Sequence, residues 1–389
     1  MTLSAGGRIG LAGAAVVGVA FGMARYAYGL TLPGIREDLG LSELLLSLIA
    51  SATFAGYLAG LLLAGRIAAR QGSRAPTTVG GVCGAAGAVI VTLAQTPWLL
   101  AVGVVLAGSA GGWVWAPYSD IVTRSAPLRQ QPRALAIITT GTSGGLVLLG
   151  ALAALAVAGS WRLVWAGIAL AAVAAALVNL RLVPRTRSAP HPEAGPGASS
   201  LMAALRVPAA YSVVYFAVIV IYFTYAADVL DRGTLPAAAV PALYAAIGLT
   251  GMVGVATGAL AQRVGSSRVA ALCLATVGAA LTLLGVASDS PAATAVSACI
   301  FGMGYMTGSA VLALWTAELV PERAGAAFTA CLVVGALGSV VAPALAGAVI
   351  PGLGLGPLLV VTAAVSLLGA VVLMLYGASR GAAVGDTGS

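Results

Sequence analysis

The sequence of 389 residues contains no lysine, and only 8% of its residues are charged. A soluble domain carries about 25% charge, so this chain cannot cover a water-facing surface with ionised groups. Its 60% hydrophobic content and mean hydropathy of +1.04 exclude a soluble globular protein and point to a polytopic membrane protein. The single histidine, His191, stands in a proline-rich stretch with no partner motif, and it is assigned no chemistry. Cys83, Cys273, Cys299 and Cys331 lie in apolar runs with no C-x-x-C pair. They read as small buried hydrophobes, not as metal ligands or disulfide partners. No G-x-x-x-x-G-K-[ST] loop is present, which excludes ATP-driven transport on this chain. No nucleophile–base pair or metal constellation marks an enzyme, and no cofactor is implied.

The net charge of +8 is carried wholly by arginine. In a soluble chain it would suggest nucleic acid; here it sits in short segments between apolar runs and reads as a topology signal. The arginine-only, Ala/Gly/Val-rich usage suggests a GC-rich bacterial genome. A membrane helix needs about 20 apolar residues. On that rule the runs fall at 9–32, 43–64, 76–95, 98–118, 134–158 and 162–182, then 208–229, 239–261, 269–287, 292–317, 325–349 and 356–376. The first is too long for a signal peptide and is followed by further spans, so it reads as an uncleaved helix. The fold class is therefore all-α, with six-helix units at 1–182 and 208–389 joined by a polar linker at 183–207. The stretch from Pro33 to Ser42 reads as a polar loop.

The two halves repeat one turn. Gly65, Arg70, Gly72 and Ser73 recur as Gly258, Arg263, Gly265 and Ser266, all at an offset of 193 residues. With the N-terminus inside, the inner segments hold 15 arginines and the outer loops hold Arg36, Arg162 and Arg232, while Arg25 remains inside a span. That bias puts both termini, the repeated turn and the linker on the cytoplasmic side of a cell membrane.

Six plus six spans, a central linker and this turn resemble the major facilitator superfamily. The family's turn reads Gly-x-x-x-Asp-Arg-x-Gly-Arg-Lys/Arg; Gly65, Arg70, Gly72 and Arg74 fit it, while Ala69 and Gln262 replace the acid. Pro33 to Ser42 is similar to the family's first outer loop, and Gly-Met-Ala-Arg25-Tyr-Ala-Tyr is reminiscent of the bacterial YbfB/YjiJ-type branch. The resemblance implies alternating access by two rocking bundles, with the first, fourth, seventh and tenth spans lining a midplane site.

Arg25 lies about 24 Å along its span at ~1.5 Å per residue. A charge at that depth is expensive unless it faces a wet cavity or a partner, so it is read as the contact for an anionic substrate group, with snorkelling or a structural pair as alternatives. Phe21 and Tyr28 share its helical face; Tyr26 does not. Asp228, at similar depth in the seventh span, is a candidate Arg25 partner at an outer gate. Tyr211, Tyr215, Tyr222 and Tyr225 form one stripe on that span. Tyr215 and Tyr222 read as cavity lining, and Trp113 and Tyr305 as contacts for an apolar substrate part. Trp115 and Tyr118 read equally well as inner-interface anchors. Asp120 and Glu318, 198 residues apart, are predicted to pair with Arg70 and Arg263 and so hold an inner gate shut in the outward-open state. No Asp or Glu stands at mid-membrane and the fifth span lacks proline, which departs from the pattern of proton-coupled drug antiporters in that family.

These features predict a monomeric secondary transporter for a small organic solute with an anionic group, embedded in the lipid bilayer and binding no nucleic acid. Proton coupling could run through Asp228 or the substrate's own carboxyl. An exporter of amphipathic drugs or metabolites, and a transporter-fold sensor or membrane enzyme, are the alternatives.

Overall fold

In the computed structural model, residues 4–157, 159–185 and 198–385 are described, and all their regular structure is helical. His191 and residues 186–197 of the expected linker lie outside them. Twelve helices are long and apolar enough to cross a membrane. They are α1 (Ala5–Leu39), α2 (Glu43–Gln71), α3 (Arg74–Thr92), α4 (Pro97–Ser125), α5 (Leu128–Ala156) and α6 (Arg162–Leu182). After the linker come α7 (Ala203–Asp231), α8 (Ala239–Val264), α9 (Ser266–Val286), α10 (Pro291–Leu319), α11 (Pro321–Leu353) and α12 (Leu355–Gly377). The chain is a multi-pass membrane protein. The helix of the seventh span begins at Ala198, so residues 198–207 of the expected linker are helical.

Internal duplication is visible in the caps. Thr96 accepts from the Leu99 amide ahead of α4, and Ser290 accepts from the Ala293 amide ahead of α10. Each is followed by proline at the first turn, where a missing N–H costs nothing. The turns after α2 and α8 are closed by Gly72 and Gly265, both at φ 87°. A side chain rarely adopts that conformation, which explains why glycine recurs at both positions. Gly65 and Gly258 have open space around them instead.

Most of the stretch from Pro33 to Ser42 is helix, and the loop is confined to Gly40–Ser42. Helix α1 runs through Pro33 to Leu39 and ends on Gly40 in the left-handed conformation. Leu32 and Ile35 are buried and spaced to continue one apolar face. That face outweighs the hydrogen bond lost at Pro33. Mid-way, α1 widens into a π-helical segment, Gly18–Ala24, where α5 crosses it. A Cβ on Gly22 would meet the Thr142 carbonyl and Gly145, so the crossing is a backbone-to-backbone contact between small residues.

The first six helices meet the last six along three lines: α1 with α7, α2 with α11, and α5 with α8. At the end away from the repeated turns, α1 and α7 touch directly. A Cβ on Gly29 would overlap the Phe223 carbonyl.

Candidate functional site

Between the halves lies a cavity of about 420 Å³. It reaches from Arg25 and Tyr305 down to Thr139, Gly258 and Phe328, at the ends of α5, α8 and α11 on the side of the repeated turns. Its walls are mainly apolar, with Phe21, Trp115, Phe216, Met252, Met306 and Phe328 among them. Beside Arg25 and the phenols of Tyr26, Tyr57 and Tyr305, the polar groups are hydroxyls from Thr139, Thr140, Thr142 and Ser143 of α5, Thr257 of α8 and Ser309 of α10.

Arg25 is the one charged side chain among the described lining residues. It is 4% exposed. Its guanidinium carbon lies 4.2 Å from the Tyr57 ring centroid, 5.2 Å from Phe54, 5.4 Å from Phe21 and 5.6 Å from Tyr26. Four π-faces within about 6 Å stabilise a cation, yet its Nε has no hydrogen-bond partner. No acidic side chain pairs with it among the described residues. Ser143 Oγ, also buried, likewise has no hydrogen-bond partner.

Behind Arg25 the cavity ends on packed rings. Tyr26 donates a 3.0 Å hydrogen bond to Tyr305 and stacks on Phe223 at 3.7 Å between centroids. Tyr28 donates to the Leu46 carbonyl at 2.8 Å, and Ser47 and Tyr225 share a 2.7 Å hydrogen bond. Beyond them lies a cluster of charges. Arg36 Nη2 is 2.5 Å from Asp228 Oδ2, and its Nε is 3.4 Å from Glu43 Oε1. The Arg36 N–H bonds do not point along these contacts, so they are charge contacts and not hydrogen bonds. Arg232 bonds both Asp228 oxygens at 3.1 Å and also Glu43. Two of these pairs, Arg36–Asp228 and Arg232–Glu43, cross between the halves. Partial burial works against the Arg232 guanidinium, but Asp228 and Glu43 more than offset it and hold its pKa above the ordinary value.

At the turn end, Ser73 donates to Asp120, which also pairs with Arg124 at 2.6 Å. Ser266 donates to Glu318 at 2.7 Å. Both serines belong to the repeated turn, and each acid belongs to the same half as its serine.

Several expectations are corrected. Arg25 does not pair with Asp228; the buried carboxylate takes Arg36, farther along α1, because helical continuation past Pro33 carries that side chain to α7. The Arg70–Asp120 and Arg263–Glu318 pairs are expected of an outward-open state, a state other than this one, in which the cavity opens at the turn end: here both arginines are exposed and form no ion pair among the described residues, and the adjacent turn serines hold the two acids. Tyr215 and Tyr222 do not line the cavity. Tyr215 donates to the Tyr305 carbonyl and bonds Ser309 at 3.1 Å, and Tyr222 stacks on Phe301 and bonds Ser297 at 2.9 Å. Along with Tyr211, which donates to the Gly308 carbonyl, they fasten α7 to α10. Trp113 packs against Gly60 of α2 and Gly80 of α3, since α4 breaks at Trp113–Val114 and turns Trp115 into the cavity in its place. Tyr118 is buried and donates to Asn179 at 2.7 Å, so it is packing and not an interface anchor. Tyr28 lies behind the main cavity, where it bonds the Leu46 carbonyl, and Tyr26 lines it beside Tyr305. Tyr305 and Arg25 do line it. Tyr57, Phe216 and Ser143 carried no signal in the sequence that separates them from packing residues.

The family model of the Major Facilitator Superfamily matches residues 14–328. No characterised protein matches the chain by sequence. Among solved structures, a mutant of the peptide transporter POT aligns at 16% identity with TM-score 0.76, covering 94% of each chain. A mutant of the nucleoside transporter NupG aligns at 12% identity with TM-score 0.73, over 94% of this chain and 99% of that one. A POT family transporter in complex with 5-aminolevulinic acid aligns at 14% identity with TM-score 0.71, over 94% of this chain and 96% of that one. At such identities the likeness establishes the fold. The matched model covers most of the chain, and the protein belongs to the major facilitator superfamily: it is a membrane transporter and not an enzyme.

Proposed function

We propose that this transporter moves a small organic solute with an anionic group by alternating access, and that Arg25 binds the anionic group. The observation that carries this reading is a buried, cavity-lining guanidinium with no acidic partner among the described residues. Such a charge is costly in a membrane unless something meets it, and a substrate carboxylate supplies two acceptor oxygens in the geometry of the guanidinium fork.

Arginine bias supports a cytoplasmic location for the termini, the linker and both turns, in a bacterial inner membrane. The cavity then faces inward, and the charge cluster around Asp228 is the closed outer gate. Residues 1–182 and 208–389 act as the two rocking units. The cavity is complete within one chain, which supports a monomer. No carboxylate stands among the described lining residues, so any proton that accompanies transport rides on the substrate's own carboxyl.

Purified protein in liposomes, loaded with unlabelled solute, tests this by counterflow across a panel of carboxylic acids and cationic dyes, with and without an imposed pH gradient. Acids are expected to exchange. Exchange of the dyes alone contradicts the reading and favours an exporter of cationic drugs.

A further inference from the structure

We propose that the substrate is a monoanionic amphipathic acid, with a single carboxylate for Arg25, an apolar body of aromatic-ring width and no ammonium group. This rests on the reading that Arg25 holds an anion and adds what else the ligand must and must not carry.

The charge inventory excludes a zwitterion. No carboxylate lines the cavity among the described residues. The acids nearest its two ends are already held, Asp120 and Glu318 by the turn serines and Asp228 by two arginines. An ammonium group in the cavity would lose its water, find no counter-charge and feel the repulsion of Arg25. A dicarboxylate meets the opposite mismatch. One guanidinium satisfies one carboxylate, and the second would be desolvated against Phe21, Phe216, Phe328 and the two methionines.

The walls set the remainder of the ligand. Trp115 and Phe21 meet edge to face at 6.2 Å and form one apolar side. Met252 and Met306 line the α8–α10 side with flexible thioethers that mould to flat rings. The volume of about 420 Å³ lies within the ~300–1,000 Å³ of small-molecule pockets. Ser143 Oγ is a second orphaned polar atom in the lining. It lies against Gly251 of α8, where a Cβ would come within 3.2 Å of it.

The test is equilibrium dialysis of radiolabelled 2-naphthoate against the full chain in lipid nanodiscs. Competitors are succinate, 2-naphthylmethylammonium and the zwitterionic dipeptide dialanine. Saturable binding of 2-naphthoate is expected. Arg25→Gln should weaken it by about tenfold or more, because a hydrogen bond to a charged group is lost. Arg25→Lys, which keeps charge but loses the fork, should fall between. Succinate should compete at least about tenfold more weakly than unlabelled naphthoate, and the ammonium and dialanine should not compete. Competition by the ammonium or dialanine comparable to that of naphthoate overturns the proposal. If radiolabelled succinate, dialysed in parallel, binds in an Arg25-dependent way and 2-naphthoate does not, the amphipathic class is wrong and the anion reading stands. If naphthoate binds equally to wild type and Arg25→Gln, both fail. The competition series on wild type decides the matter even if Arg25→Gln does not fold.

Discussion

The two ends of the cavity hold their charges in different ways. At the end beyond Arg25, Arg36 of α1 meets Asp228 of α7, and Arg232 after α7 meets Glu43 of α2. Both contacts cross from one half to the other. At the turn end, Ser73 holds Asp120 and Ser266 holds Glu318, each within its own half. A rigid-body rotation of one half against the other must break the first kind and can carry the second along unchanged. Under the proposed rocking of the halves, charges that cross the interface would report the conformational state, and the serine–acid contacts of the turns would travel with their own half.

Breaking the crossing cluster should have the largest effect. Asp228 is fully buried, so Asp228→Asn leaves Arg36 and Arg232 with Glu43 as the one acid they share. After allowance for the partly exposed arginines, this should favour opening of that end by about 2 kcal/mol, roughly 30-fold in population. Spin labels at Glu37→Cys and Ala238→Cys, both exposed positions, in a background without the four native cysteines, read this as a longer distance population. An unchanged distribution would mean that the cluster does not hold the end shut.

The next effect sharpens the same end. Arg36→Gln should open it more than Arg232→Gln, since the Arg36 side chain is 23% exposed against 42% for Arg232. Screening leaves less energy in the more exposed pair, and the same label pair ranks the two variants.

The turn end should respond in stability instead of state. Gly72→Ala and Gly265→Ala force a side chain into φ 87°, at a cost of about 1–2 kcal/mol each. Gly65→Ala and Gly258→Ala meet no neighbour in this state and should melt as wild type does. Thermal unfolding in detergent separates the two pairs. The smallest effect is expected for Ser73→Ala and Ser266→Ala, about 1 kcal/mol or less each, because both acids are in reach of water. If these variants shift the label distances, the turns are gates after all.

Much of this was legible in one dimension. Runs of about 20 apolar residues locate twelve spans, and the duplicated glycine–arginine turn locates the halves, because both are local signals. Arg25 is legible for the same reason: a charge deep in an apolar run needs an explanation wherever it is. The partner of Asp228 was not legible. Whether Asp228 takes Arg25 or Arg36 depends on α1 continuing past Pro33, and sequence spacing cannot show that the apolar face of Leu32 and Ile35 overrides a proline. The tyrosine stripe of α7 has correct periodicity and the wrong neighbour, since periodicity gives a face and not what the face touches. Tyr215 and Tyr222 turn to α10. The placement of Tyr26 depends on its neighbours Phe223 and Tyr305 in the other half, which no residue pattern within α1 announces.

The most direct measurement is 2-naphthoate counterflow in liposomes containing Arg25→Gln beside wild type, at matched amounts of folded protein. Exchange by wild type and at least about a tenfold loss in the variant is the expected result. Equal exchange by both would contradict the assignment of Arg25 as the group that binds the substrate anion.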